Sequence, residues 1–407
     1  MIVDSHAHTF PFLGDLSGYE TVEEHMRWLQ LYLIGHSQPV RYIDNDEEVV
    51  DQGLADLPLR GFESLKPVHF RVEPNGRFVW ERGERAVYIH FMPPSMQTNE
   101  SPGEYMLAEM AYAGIDVAVL QNAHLYGDLN QYFSDIVYKY PRKFIALAQV
   151  DEVTAHHDTE IDKLRTYVQH GRLRGLYYAN RAFAKCDYAY SFDDSRFDPF
   201  WDTVAALGIP VFWELSATPL GGSNSILLEI ERLVHWSEDH KDIPCVYTHG
   251  FSPDLLDGNA PEPVARLLAR DQFLIEILYP ISWGRGHDYP YEELRPPLLE
   301  LYNRVGANRL IWGSDMPNVQ RHCTYRQSLS YVTKLLKGRV SDGDIAKILG
   351  ENMLGLFASP RGDEEPRAVG VVAPSEAGSR YRPADLPSEI PHPLGGTLPK
   401  NQKRSRQ

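Results

Sequence analysis

The sequence contains few cysteines. Only three occur among 407 residues, Cys186, Cys245 and Cys323, and none belongs to a Cys-x-x-Cys pair. An odd number of widely spaced cysteines argues against a disulfide framework and against a zinc site built from thiolates.

Long apolar runs are also missing. No window approaches the 18 or so consecutive apolar residues that a transmembrane helix requires. The first ten residues, MIVDSHAHTF, are polar and charged where a signal peptide needs an apolar stretch. We therefore expect a cytoplasmic protein that has no membrane partner.

Basic residues are fewer than acidic residues, and the formal net charge is −16. A surface this acidic repels phosphate backbones, so nucleic acid is a poor candidate partner. A small anionic substrate is not excluded, since local arginines can outweigh the global field.

The sequence does contain a regular alternation of short apolar runs with helix-length segments between Ile2 and about Phe357. Runs this apolar predict a parallel sheet buried on both faces, and eight such units are the number that closes a TIM (β/α)8 barrel. A doubly wound open sheet is the rival, but no Gly-x-Gly-x-x-Gly motif follows an early strand. The eight runs are 2–8, 115–121, 144–150, 175–178, 210–215, 245–250, 273–278 and 310–315.

Two segments lie outside this alternation. The interval between the first two runs exceeds a hundred residues, and its part at 68–93 predicts three antiparallel strands with an Asn75-Gly76 turn. We interpret about 36–100 as a small β insertion beside the barrel mouth, within a barrel domain at 1–357. The segment 358–407 is rich in proline, which predicts a disordered tail or a packing arm.

Polar side chains stand where several predicted strands end. His6 and His8 lie two residues apart in the first run, so both imidazoles should project to one side of the strand. Glu214, His249 and Asp315 end the fifth, sixth and eighth runs. Imidazole and carboxylate groups that converge at the mouth of a barrel would suit a divalent metal.

Each of these residues also has a structural interpretation. Asp315 could cap the next helix, and His249 could be a hydrogen-bonded core histidine. A His-x-His pair alone is weak evidence in a sequence with 16 histidines. Their shared position at the ends of strands makes separate structural explanations less attractive.

Four motifs together resemble the amidohydrolase superfamily: HAH in the first run, THG in the sixth, LIWGSDMPN in the eighth and the closing ILGENMLGLF. More narrowly, they are similar to the amidohydrolase-related branch that includes aminocarboxymuconate semialdehyde decarboxylase and the resorcylate-type decarboxylases. The resemblance covers about residues 1 to 357.

The resemblance implies one divalent metal ion, zinc or manganese, held by His6, His8 and Asp315. It implies that His249 is the catalytic acid or base, with Asp315 also taking part in proton transfer. The sequence departs from the family at the strand-five position, where Glu214 replaces a histidine ligand. We predict that Glu214 is a substituted metal ligand, because a carboxylate can bind a divalent ion. An acid/base role for Glu214 and loss of the metal are the alternatives.

The loops after the strands carry candidate substrate-binding residues. Arg181, Arg285, His287 and Arg321 follow the fourth, seventh and eighth runs, and arginine suits carboxylate binding. Trp201, Trp213, Tyr289 and other aromatic residues near these loops fit a planar substrate, although core packing explains them equally well.

These residues predict a metal-dependent hydrolase that acts on a small carboxylated compound, aromatic or ring-derived, through metal-activated water. A metal-dependent non-oxidative decarboxylase is the alternative. A barrel that has lost turnover and only binds a ligand is the second alternative. Family resemblance also suggests a homodimer.

Overall fold

The structure is a computed structural model of the chain, and it describes residues 1–34, 36, 38–56, 59–217, 225–256, 260–278 and 287–358. The predicted tail therefore lies outside the described residues, except for Ala358. Within the described part, no helix combines the length and the apolar character needed to cross a membrane.

Eight parallel strands alternate with helices along the chain. They lie in two sheets, the first with the strand order β1-β7-β8 and the second with the order β13-β12-β11-β10-β9. Each strand coincides with one of the eight apolar runs, and nearly all of their residues are buried. The strands are β1 (Val3–Ala7), β7 (Val117–Leu120), β8 (Phe144–Ala146), β9 (Leu176–Ala179), β10 (Val211–Glu214), β11 (Cys245–Tyr247), β12 (Phe273–Ile277) and β13 (Leu310–Trp312).

Helices follow these strands, and several show the local signals that begin or end a helix. Helix α9 begins with a capping box between Thr324 and Gln327, and α2 ends at Gly114 in the left-handed conformation. The helices are α1 (Val22–Leu33), α2 (Gly103–Ala113), α3 (Asn130–Lys139), α4 (Asp158–Gln169), α5 (Asp198–Leu207), α6 (Ser225–Asp239), α7 (Glu262–Leu268), α8 (Arg295–Val305), α9 (Tyr325–Leu336), α10 (Asp342–Ala346) and α11 (Asn352–Phe357).

The two parallel sheets meet at both of their edges. A parallel bridge joins Ala148, just after β8, to Leu176 of β9. A second bridge joins Ala7 of β1 to Met316, and the His8 amide donates to the Met316 carbonyl at 2.7 Å. The Asp315 amide likewise donates to the His6 carbonyl at 2.8 Å. The second contact brings the ends of the first and eighth strands together.

The predicted insertion forms an antiparallel sheet with the strand order β3-β2-β6-β5-β4. The three predicted strands are β4 (Arg71–Glu73), β5 (Arg77–Arg82) and β6 (Arg85–His90), joined as expected by a turn at Asn75-Gly76. Both turn residues have positive φ, 65° and 75°, which suits this dipeptide. The prediction of three strands was incomplete, because β2 (Val40–Tyr42) and β3 (Glu48–Val49) extend the sheet and are too short to show alternation.

The tryptophans near the fifth strand belong to the core. Trp201 and Trp213 are fully buried, and each packs against Trp236 of α6 with ring centroids 4.9 and 4.7 Å apart. Core packing between strand and helices, and not substrate contact, accounts for these two residues.

Candidate metal centre and pocket

Three predicted ligands converge at the ends of β1 and β13. The Nε2 atom of His8 lies 3.1 Å from Nε2 of His6 and 2.9 Å from Oδ1 of Asp315. The His6 Nε2 atom lies 3.9 Å from the same carboxylate oxygen. All three side chains are buried, and their ligand atoms lie within 4.8 Å of one another. Ligand atoms about 2 Å from a common ion would have this spacing.

Hydrogen bonds at Nδ1 orient both imidazoles. The Nδ1 atom of His8 lies 2.9 Å from the carbonyl oxygen of Gln121, which can only accept. The Nδ1 atom of His6 lies 2.9 Å from Oε2 of Glu276. Protons on both Nδ1 atoms direct both Nε2 atoms toward Asp315, as metal-binding histidines require.

Glu276, on β12, is a site residue that the sequence analysis missed. Its carboxylate is fully buried and accepts hydrogen bonds from three neighbours, the Ser5 hydroxyl at 2.6 Å, the His249 amide at 2.6 Å and the His6 ring. The available signal was an acid inside the apolar run FLIEIL, because a buried carboxylate requires partners. The pattern could not say which partners.

Asp4 forms hydrogen bonds with the segment that contains Asp315. The Asp4 carboxylate accepts from the Ser314 hydroxyl at 2.5 Å, the Ser314 amide at 2.9 Å and the Tyr325 hydroxyl at 2.6 Å. Burial raises the pKa of Asp4 to about 6, although these hydrogen bonds favour the charged form and oppose the rise. These contacts link β1, the end of β13 and α9, and so fix Asp315 beside the histidines.

The three charged groups at the centre perturb one another. Burial alone would lower the pKa of His6, but the charge and hydrogen bond of Glu276 raise it to about 9. Burial alone would raise the pKa of Asp315 and of Glu276, but the histidines hold the pKa of Asp315 well below its usual range and lower that of Glu276. Both carboxylates are therefore ionised at neutral pH.

His249 lies beside the three ligands. Its ring centroid is 4.9 Å from that of His6, and burial together with the charge of His6 lowers its pKa. Both His249 and Asp315 adopt the left-handed backbone conformation, with φ of 63° and 60°. Such conformations cost about 1–3 kcal/mol in non-glycine residues and concentrate at functional sites.

These residues face a pocket of about 350 Å³ at the carboxyl ends of the parallel strands. Its wall combines charged, aromatic and amide side chains from both the strand ends and the insertion. The lining residues are His6, His8, Tyr32, His36, Gln38, Phe91, Ala123, Leu125, Tyr126, Tyr177, Arg181, Glu214, His249, Asp315, Asn318, Arg321 and His322.

Glu214 is in this pocket, but it is not part of the three-ligand group. Its carboxylate accepts a hydrogen bond from the Tyr177 hydroxyl at 2.5 Å, from the neighbouring strand β9. The ligand atoms that lie within 4.8 Å of one another belong to His6, His8 and Asp315 only, among the residues described. Metal ligation by Glu214 therefore stays a prediction.

The predicted substrate-binding residues occupy different places. Arg181 and Arg321 line the pocket, and Arg321 donates to the carbonyl of Phe91 after β6. His287 does not line it; its ring lies 3.7 Å from the Glu293 carboxylate. Arg285 lies outside the described residues.

Another cavity, of about 390 Å³, is lined by residues of α5, of α6 and of the segment just before α5. Its wall is acidic, with Asp198, Asp202 and Asp239 among the lining residues. It contains none of the predicted site residues, so the smaller pocket remains the candidate site.

The chain belongs to the amidohydrolase family, because the sequence model of that family matches residues 3–357. A search of curated proteins found no match. The family membership agrees with the resemblance drawn from the sequence motifs.

Solved structures with a similar fold were also found. An amidohydrolase from Burkholderia multivorans with bound zinc has a TM-score of 0.52 at 14% identity, covering 65% of this chain and 90% of that chain. A probable 2-pyrone-4,6-dicarboxylic acid hydrolase from Acinetobacter baumannii, with citric acid bound, has a TM-score of 0.51 at 14% identity, covering 88% and 99%. A 2,6-dihydroxybenzoate decarboxylase from Rhizobium has a TM-score of 0.49 at 16% identity, covering 64% and 89%.

Proposed function

We propose that the protein is a metal-dependent hydrolase that acts on a small carboxylated compound, aromatic or ring-derived. The observation that carries this proposal is the group of His6, His8 and Asp315, buried together in a pocket beside His249. Membership of the amidohydrolase family supports it.

We assign His6, His8 and Asp315 as the ligands of one divalent metal ion. Two imidazole nitrogens and one carboxylate oxygen form a donor set that suits zinc or manganese. The Nδ1 hydrogen bonds of both histidines support this assignment, because they direct the Nε2 lone pairs toward Asp315. A bound metal would supply a water molecule of lowered pKa.

His249 is the proposed general acid/base. Its lowered pKa keeps the imidazole neutral near pH 7, so it can accept a proton from the attacking water. The water oxygen bonds to the substrate carbonyl carbon, the bond to the leaving group breaks, and His249 returns the proton to that group. Asp315, which stays ionised, orients the water and can share its proton.

Arg181 and Arg321 are the proposed contacts for a substrate carboxylate, since both line the pocket. Phe91, Tyr126 and Tyr177 supply aromatic walls that suit a planar ring. The earlier assignments of Arg285 and His287 to substrate binding remain predictions.

The site also depends on the architecture. We infer that the eight parallel strands form one closed barrel, supported by the bridges at both sheet edges. Closure sets the end of the eighth strand beside the first, where the three ligands meet.

Product analysis tests the reaction. Among candidates incubated with metal-loaded protein, lactones or aromatic carboxylic esters should release acid, whereas hydroxybenzoates, which have no hydrolysable bond, should release no CO2. Release of CO2 would favour non-oxidative decarboxylation, in which His249 would protonate the ring carbon as the carboxylate leaves. Turnover should fall in His249→Gln and persist in His170→Gln, an exposed histidine at the end of α4. No turnover of any member would favour a barrel that only binds its ligand.

A further inference from the structure

A buried ion pair outside the proposed mechanism joins the loops that follow β7 and β8. The Nε2 atom of His124 lies 2.7 Å from Oε2 of Glu152, and both side chains are buried. The other carboxylate oxygen of Glu152 accepts from the Ala179 amide at 3.2 Å. Apolar residues of similar size are often at least as stabilising as a buried ion pair, so its presence calls for another explanation.

The hydrogen bonds of His124 fit a ring with protons on both nitrogens. The Tyr19 hydroxyl oxygen lies 2.8 Å from Nδ1 of His124 and 3.1 Å from its carbonyl oxygen. A hydroxyl has one proton, so both contacts are satisfied only if it donates to the carbonyl and accepts from Nδ1. At the other nitrogen, an ionised Glu152 carboxylate can only accept. The geometry therefore fits an imidazolium paired with a carboxylate.

The ring of Trp28, on α1, covers His124. The two ring centroids are 4.1 Å apart and the ring planes differ by only 11°. An indole face attracts a cation, so this stacking also favours the protonated imidazole. Burial alone would lower the pKa of His124, but the charge and hydrogen bond of Glu152 raise it above its usual value.

Other titratable groups around the ion pair do not replace Glu152. Asp151 and Lys185 act on His124 in opposite directions, and they pair with each other at 2.7 Å. Burial raises the pKa of two nearby tyrosines and lowers that of a nearby histidine, so these three groups are uncharged near pH 7. They are Tyr19, Tyr178 and His25.

We propose that His124 and Glu152 form a protonation-dependent latch that holds α1 against the ends of the parallel strands. Both members of the latch come from loops that follow strands. Tyr19, just before α1, and Trp28, on α1, contact the latch from the opposite side.

The latch adjoins the wall of the candidate pocket. Ala123 and Leu125, on either side of His124 in the sequence, line that pocket, and so does Tyr32 of α1. A change in the latch should therefore reach the pocket wall on two sides. The latch regulates the shape of the pocket without taking part in metal binding, and so it goes beyond the proposed function.

The latch should weaken as the pH rises. Because the pKa of His124 is higher in the folded than in the unfolded chain, its stabilising contribution is complete below about pH 6.5 and is lost as the pH rises through the folded-state pKa. Loss of the proton leaves Glu152 as a buried carboxylate without its counter-charge, which is costly. We expect α1 to loosen in that pH range.

Nuclear magnetic resonance of isotope-labelled histidine in the full-length protein measures the protonation of His124. The resonance that disappears in His124→Gln belongs to His124, and it should titrate above the ordinary value of 6.5. Glu152→Gln should lower this midpoint by about one pH unit or more. A wild-type midpoint at or below 6.5, or one that Glu152→Gln leaves unchanged, would overturn the ion pair. His170→Gln and Glu293→Gln, at exposed positions, are the matched controls.

Amide hydrogen exchange tests whether the ion pair holds α1. Protection factors, which remove the intrinsic effect of pH on exchange, should fall roughly 10- to 100-fold for α1 between about pH 6 and pH 9 in the wild type. His124→Gln should show weak protection at both pH values. Protection that does not depend on pH, or that falls equally in His124→Gln, would overturn the latch. Neither experiment requires metal or turnover, so failure of the latch and failure of the proposed function are distinguishable.

Discussion

Glu276→Gln is the substitution that examines the candidate site most closely. The change keeps the size of the side chain but removes the charge that His6 and the His249 amide share. One amide oxygen can still accept from these two donors, and the amide nitrogen can donate to Ser5. The fold should therefore survive, and the effect should appear in metal binding.

The size of the effect follows from the pKa of His6. Burial would lower this pKa, but the charge and hydrogen bond of Glu276, together with the charges of Asp315 and Asp4, raise it from 6.5 to about 9, a net difference equal to about 3 kcal/mol. Because the metal binds the unprotonated Nε2 atom, wild-type affinity should rise about tenfold per pH unit until about pH 9. Without the charge of Glu276, the His6 pKa falls and this rise should end at a lower pH. Loss of the supporting carboxylate should itself weaken metal binding roughly 10- to 100-fold.

Competition of Mn²⁺ between the protein and a chelator, measured from pH 6 to 8.5, would record the metal affinity and its dependence on pH. The deficit of Glu276→Gln should be smallest at acidic pH and should grow as the pH rises. Equal affinities and equal pH slopes for the wild type and the variant would refute the role given to Glu276. Glu293→Gln, an exposed carboxylate, is the matched control.

Three further substitutions test other parts of the account. Glu214→Gln should retain the metal in elemental analysis, since Glu214 lies outside the three-ligand group, but its turnover should change. Loss of the metal would show that Glu214 is a ligand. His249→Gln should lower kcat roughly 10²- to 10⁴-fold with metal content unchanged, and a small kcat effect would exclude it as the acid/base. Gly313→Ala places a Cβ 2.5 Å from Oε1 of Glu276 and 2.8 Å from Cβ of His6. Chemical denaturation should therefore show a free energy of unfolding lower by about 1–3 kcal/mol. Wild-type stability of the variant would contradict this packing.

The sequence was sufficient to predict the eight parallel strands and the positions of the polar residues at their ends. The apolar runs are regular because strands buried on both faces allow few polar residues. The His-x-His spacing predicts that both rings project to one side, and the structure has their Nε2 atoms 3.1 Å apart.

Other features depend on contacts between distant segments. The sequence contains Glu276 as one acid in an apolar run, but its pairing with His6 arises from the arrangement of β1, β11 and β12. The sequence indicates Glu214 at the end of the fifth strand, but its hydrogen bond with Tyr177 depends on the pairing of β9 with β10, and metal ligation by Glu214 stays a prediction.

Metal content tests the central claim most directly. Protein purified without chelator and analysed by plasma mass spectrometry should contain about one equivalent of a divalent metal. His6→Ala should lose it, and His170→Ala, at an exposed position, should keep it. Absence of metal under any supplementation, with folding unaffected by His6→Ala and by Asp315→Asn, would contradict the assignment of a metal-dependent enzyme.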